Sequence, residues 1–232
     1  MLNKIHGLIA FAMKRILLIL ILTICNVYAF SQQRGVELSH YLFPEFVQGT
    51  VLMRSGQQYN AMLNYNALSE EMIFDNKGRK LAIGKEEMEK VDTVYILNRK
   101  FFVMDDRFVE LVYRAGCELY AEHRCDVKYP GKPSAYGGTS ETSSISTYSG
   151  IYSGGLLYEL KLPDGFKIRP YMIYWLKRNG ENKKFISLKQ LTRLFGDRKD
   201  QVREYMGSHK VTYDDQESLI ALIRYLDVNR QD

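Results

Sequence analysis

The chain of 232 residues holds 32 Lys and Arg against 27 Asp and Glu, a formal net charge of +5, and is 46% hydrophobic. Beyond residue 31 the balance falls to 29 against 27, so the whole-chain charge overstates how basic the working protein is, and the export pattern of the first residues sets nucleic acid aside as a partner despite a local basic stretch. What remains is long enough for one domain of ordinary size, or a domain with a small appendage, around a sizeable core.

Lys14 and Arg15 precede residues 16–25, ten apolar or near-apolar positions in a row. A positive stretch and a short apolar run form the pattern of a secretory signal peptide. A bilayer-spanning helix needs about 20 apolar residues, and lengthening the run towards Leu8 would place both cations inside it. Val27-Tyr28-Ala29-Phe30-Ser31 offers cleavage after Ala29 or after Ser31; the second is preferred and leaves Gln32 first. Met13 is an alternative start to Met1. Cys25 raises the alternative of a lipid anchor, but the bulky Ile24 before it suits lipid-modifying cleavage badly. Residues 1–31 are thus expected to be a signal peptide and residues 32–43 a linker. The product is exported, periplasmic or outer-membrane-associated, and has no integral membrane span after cleavage.

From Pro44 to about Lys128 apolar and polar residues alternate in period two, broken by short turn signals, as in an antiparallel meander. Tyr59, Ala61, Leu63 and Tyr65 face one way; Asn60, Met62, Asn64 and Asn66 face the other. Turns are expected at Arg54-Ser55-Gly56-Gln57 and Asn76-Lys77-Gly78. Strands are expected over residues 57–66, 72–74, 81–83, 93–97, 101–104, 108–113 and 117–127, with at most one helical turn over 85–90. No helix-length segment separates the strands, which disfavours a parallel α/β fold. Residues 130–155 form a long loop rich in Gly, Ser, Thr and Tyr, and strands resume over 156–162 and 171–176.

The period then changes to 3.6 and three short helices follow, each with a capping signal. Ser187 with Gln190 opens the first, carrying Leu188, Leu191, Leu194 and Phe195. Asp197 with Asp200 opens the second, with Val202, Tyr205 and Met206 on one face and Gly207 at its end. Asp214 with Glu217 opens the third, with Leu219, Leu222, Ile223 and Leu226. The fold class is mainly β with an α appendage (α+β): an antiparallel meander forming a one-sided sheet or half-open barrel over 44–186, then three helices over 187–229.

Cys117 and Cys125 are the cysteines left after signal cleavage. On one continuous strand they lie about 26 Å apart, beyond the ~7 Å limit for a bridge, so two buried thiols are preferred. A disulfide would need a hairpin between them. His40, His123 and His209 lack any ligand spacing, so neither metal nor cofactor is implied. His123 and Cys125 are neighbours on one strand face, which makes a nucleophilic pair conceivable, although a packed face explains them more simply. Gly137-Gly138 and Gly154-Gly155 belong to no phosphate-binding motif, and Asp105-Asp106 is explained by a turn.

Two features point to binding. Tyr136, Tyr148 and Tyr152 punctuate the Gly/Ser/Thr loop in the manner of adaptable contact surfaces. Residues 165–212 hold twelve Lys and Arg against four Asp and Glu, and Lys189, Arg193, Arg198, Lys199 and Arg203 would present this excess on the helices to an acidic partner. The LNYN strand (Leu63 to Asn66), the AYGGTSETSS stretch (Ala135 to Ser144) and the ending LTRLFGDRKDQVREYM with LIALIRYL resemble a family of uncharacterised exported proteins of Gram-negative bacteria. The resemblance implies export and one architecture along nearly the whole mature chain, and it names no site. The expectation is a non-catalytic envelope protein that binds or scaffolds another envelope protein. The alternative is a glycan- or small-ligand-binding module of the periplasm or cell surface.

Overall fold

The computed structural model describes residues 39–128, 132–133, 139–140, 158–162 and 165–228. The expected signal peptide, the linker up to residue 38 and Tyr136, Tyr148 and Tyr152 lie outside them.

Ten strands form one antiparallel sheet: β1 (Val47–Met53), β2 (Gln58–Asn66), β3 (Glu71–Asn76), β4 (Arg79–Ala82), β5 (Val91–Ile96), β6 (Arg99–Met104), β7 (Arg107–Arg114), β8 (Glu118–Lys128), β11 (Lys167–Arg178) and β12 (Glu181–Phe185). Their order is β12-β11-β8-β7-β6-β5-β1-β2-β3-β4, and β9 (Lys132–Pro133) pairs with β10 (Thr139–Ser140) in a separate ladder. The helices are α1 (Lys85–Met88), α2 (Leu188–Leu194), α3 (Lys199–Ser208) and α4 (Gln216–Val228), with a 3-10 turn (Gly196–Arg198) between α2 and α3. The protein is thus mainly β with C-terminal helices, as the alternation and the later 3.6 period lead one to expect.

Tight turns fix the register of the meander. Lys77 and Gly78 have φ of 53° and 86°, and Asp105 and Asp106 of 48° and 56°, matching the left-handed pairs that connect twisted strands best. Asn179 and Gly180 do the same at 53° and 80° and place β12, which alternation alone passes over because its sequence ENKKF is almost wholly polar. Leu97 also has a positive φ, 54°, yet it is 68% exposed and so gains little from burial. A Leu97→Gly substitution is expected to stabilise the fold by roughly 0.5–1 kcal/mol. Chemical denaturation checks this, and a loss of stability would show that the Leu97 side chain carries a contact.

The face bearing the asparagines of β2 is exposed at Asn60 and Met62 but buried at Asn64 and Asn66. Residues 39–42 run along the edge of β2, bridged antiparallel at Tyr41 and Asn66, so the expected linker enters the fold from Ser39. Leu42 N donates to Tyr65 O at 2.9 Å and Ala67 N to His40 O at 2.7 Å. Asn64, fully buried, splints residues 43–45: its Nδ2 donates to Phe43 O (2.8 Å) and Glu45 O (3.0 Å), and its Oδ1 accepts from Phe43 N (3.1 Å). The expected strand over 156–162 is corrected over its described part: residues 158–162 are irregular, and residues 156–157 lie outside the described residues. Tyr158 and Leu160 pack on Tyr41, Phe46 and Ile73, and their carbonyls accept from the hydroxyls of Tyr41 and Ser39 at 3.2 and 3.5 Å rather than from a neighbouring strand.

The sheet curls far enough for the β2–β3 connection to reach β8. Cys125 N donates to Ala67 O at 3.0 Å and Tyr65 Oη to His123 O at 3.1 Å. The curl encloses one core, in which Leu63 and Tyr65 of β2 share a cluster with Val94, Phe101, Phe108 and Cys125. A second core lies at the β8–β11–β12 end, where Leu119, Ala121, Tyr174, Leu176 and Phe185 meet Leu191, Phe195, Val202, Leu219, Leu222, Ile223 and Leu226 of the helical segment. The amphipathic stripes therefore find their partner in the sheet. Asp227 ties α4 to the β7–β8 turn, accepting from Gly116 N at 2.7 Å, and Tyr213 Oη donates to Met172 O at 2.9 Å.

The caps divide. Ser187 Oγ accepts from Gln190 N at 3.3 Å, and Gln190 Oε1 accepts from Ile186 N at 2.7 Å, a reciprocal cap as the sequence pattern predicts. Asp197 opens no α-helix. Its carboxylate is engaged by Arg178 of β11 at 2.8 Å, so a 3-10 turn intervenes and α3 begins at Lys199, with Gly207 near its end as expected. Asp215, not Asp214, caps α4, accepting from Glu217 N and Ser218 N at 3.1 and 3.3 Å.

Candidate functional site

Three groupings of charged side chains stand out, one on each face of the curled sheet and one on the helices. On the inner face the β6–β7–β8 register brings Arg99, Glu110 and His123 together. Phe101 pairs with Glu110 and Glu110 with Ala121, which puts the three charged residues on the same side, two positions or one strand apart. Arg99 Nε donates to Glu110 Oε1 at 2.6 Å, and His123 Nε2 lies 2.7 Å from Glu110 Oε2 and 3.1 Å from Arg99 Nη2. The guanidinium sits over the rings of Phe43 and Phe101 at 5.2 and 5.7 Å, inside the range for cation–π attraction. Burial pushes the Glu110 carboxyl up, but hydrogen bonds from Arg99 and His123 outweigh it and hold the group below the usual carboxylate range.

On the outer face Glu122 is fully buried and is ringed by cations. Arg124 Nε donates to it at 2.7 Å and the Trp175 indole N–H at 3.0 Å. Lys184 Nζ and Arg107 Nε stand 3.4 and 3.7 Å away. Glu70, brought over by the curl, pairs with Arg107 and, at 3.3 Å, with Arg124. The cluster thus clasps the β2–β3 connection to β7 and β8. Burial raises the Glu122 pKa, and the Trp175 and Arg124 hydrogen bonds with the charges of Arg124 and Lys184 more than reverse that effect.

Both clusters are charge-paired. A general acid working near neutral pH needs a carboxyl whose pKa is raised, and both carboxyls shift the other way. His123 is engaged with Glu110, and the neighbouring Cys125 thiol is pushed up to about 12, first by burial, so it stays protonated and is a poor nucleophile. Cys117 and Cys125 are both buried and unbridged; they sit at opposite ends of the β8 segment and in different cores. Among the described residues no group of three or more His, Cys, Asp or Glu could hold a metal ion, and no helix is long and apolar enough to cross a membrane.

No family model, curated protein or solved structure matches the chain.

The five basic helical residues separate into two kinds. Arg198 is structural: its side chain is 13% exposed, it donates to Leu226 O and it approaches Asp197 at 3.4 Å. Lys189, Arg193, Lys199 and Arg203 are exposed. Lys199 and Arg203, four residues apart on α3, border an open groove of about 340 Å3 with Thr192, Val202, Met206 and Gly207. The sequence signal that singled them out was the local excess of Lys and Arg over residues 165–212; their i, i+4 spacing could have added that they share a face. The two paired clusters carried no comparable signal, because each joins residues from separate strands.

Proposed function

We propose that this is a non-catalytic exported envelope protein that binds another envelope protein, using the helical face that carries Lys189, Arg193, Lys199 and Arg203. The groove bordered by Lys199 and Arg203 carries the reading: it joins exposed positive charge to the partly exposed Met206, whereas the buried carboxylates Glu110 and Glu122 are already matched by cations. Export rests on residues 1–31, and the curl of the sheet fits a half-open barrel as scaffold. Rim cations steer an acidic partner and make association salt-dependent.

The test is cross-linking in intact envelopes, followed by mass spectrometry. The expected result is one discrete protein adduct at low salt, absent from the quadruple variant Lys189→Glu, Arg193→Glu, Lys199→Glu, Arg203→Glu, with a mature N-terminus at Gln32. A protein that forms no adduct but captures glycans on an array would transfer the case to the ligand-binding alternative. Retention of the apolar segment in the intact mass would overturn export by cleavage.

A further inference from the structure

Along α3, Lys199, Val202, Arg203 and Met206 recur at the i, i+3, i+4, i+7 spacing that places them on one face. Val202 is buried, at 2% exposure, and Met206 is 36% exposed; both line the groove, and the two cations stand on its border about one turn apart. Gly207 completes the lining. Gly207 is the penultimate residue of α3, so the cost of about 0.8–1.0 kcal/mol that glycine carries in a helix interior applies only in part. Backbone conformation does not require a glycine, since Gly207 is helical with no positive φ. Crowding does not require one either: a Cβ at this position would meet no atom within 4 Å. What the missing side chain does leave is space at the groove.

We propose that Gly207 keeps the groove between α2 and α3 open for a large apolar side chain from an acidic, amphipathic segment of a partner protein, whose carboxylates pair with Lys199 and Arg203. This rests on the protein-binding reading above and adds the chemistry of the partner. Charge complementarity selects the occupant, because the exposed Met206 lies beside two cations one helical turn apart. Arg203 already pairs with Asp200 at 3.1 Å, but Asp200 is 96% exposed, and an exposed pair contributes only about 0–1 kcal/mol. A partner carboxylate replaces it at little cost. The groove is open rather than enclosed, which suits one anchoring side chain with the rest of the segment lying across the rim.

The probe is a fluorescein-labelled synthetic helical peptide with Leu at i and i+4 flanked by Glu, compared with a Gln-for-Glu peptide and a Ser-for-Leu peptide by fluorescence anisotropy. Wild-type protein is expected to bind the Glu/Leu peptide roughly tenfold or more tightly than either control, and less tightly as salt rises. Two variants should each lose binding by a similar factor: Lys199→Glu/Arg203→Glu, which reverses the rim, and Gly207→Phe, which fills the groove. The melting temperature of each variant is the folding control and should stay close to that of the wild type. No binding to wild type, equal binding of the Gln peptide, or undiminished binding by folded Gly207→Phe overturns the proposal. In the envelope experiment, an adduct kept by Gly207→Phe but lost in the quadruple variant leaves protein binding standing and overturns the groove.

Discussion

Glu122→Ala is expected to destabilise the fold by about 3–5 kcal/mol, the range for removing one partner of a buried ion pair. Glu122 has no exposed surface, and four donors converge on it from β7, β8, β11 and β12. Without the carboxylate, Arg124 and the Trp175 N–H lose their acceptor in a place where water cannot readily replace it. The substitution also loosens the clasp to Glu70, leaving Arg107 and Arg124 to share a single carboxylate. Glu122→Gln keeps an acceptor for Trp175 and should cost less. Urea or guanidinium unfolding measures both, and a cost for Glu122→Ala under about 1 kcal/mol would mean that the cluster is hydrated rather than sealed.

The same residue predicts how stability depends on pH. Its folded pKa is depressed, so its contribution is complete above the unfolded value of about 4.3 and is lost as pH falls through the folded value. Glu110 acts in the same direction, with the Arg99 and His123 bonds overcoming burial. Stability of the wild type should therefore fall steeply below about pH 4. The acid limb of Glu122→Ala should be shallower. Parallel acid limbs in the two proteins would assign the loss to other carboxylates.

Local chemistry explains which parts of this architecture could be read in advance. Alternation marks the two faces of β2 and β8, since side chains on a strand point to opposite sides in turn, and most hairpins are announced by residues that tolerate positive φ. Which positions are covered is a different matter. Asn64 and Glu122 occupy positions that alternation assigns to solvent, and both are fully buried, because the backbone of residues 43–45 closes on Asn64 and Trp175, Arg124, Lys184 and Arg107 close on Glu122. Pairings of long sequence separation have no signature in a window of a few residues. Asp197 shows the same limit: its local pattern is that of a cap, but Arg178, nineteen residues away, takes the carboxylate and lowers its pKa to about 2, first through that hydrogen bond. At the candidate groove the local excess of cations was legible. That Arg198 is spent on Leu226 while Lys199 beside it is exposed follows only from how α3 docks.

Gly49→Ala is expected to destabilise the protein by about 2–3 kcal/mol, through overpacking rather than loss of a contact. Gly49 lies on β1, between β2 and β5, paired with Ala61 on one side and Ile96 on the other. A Cβ there would stand 2.6 Å from the carbonyl oxygen of Tyr95 and 2.8 Å from Leu63 Cδ1. Leu63 can shift a methyl only against a packed core, and Tyr95 O is backbone within the strand paired with β1, so relief requires the β1–β5 pairing itself to move. Alanine has an intrinsic advantage over glycine in a strand, roughly 0.5–1 kcal/mol, and the clash must exceed it before any loss is seen. For a domain of this size the net change should lower the melting temperature by roughly 5–10 °C. The matched substitution Gly207→Ala, with open space around the new methyl, should raise it. If both substitutions shift the melting temperature upward, β1 and β5 are further apart than this packing requires.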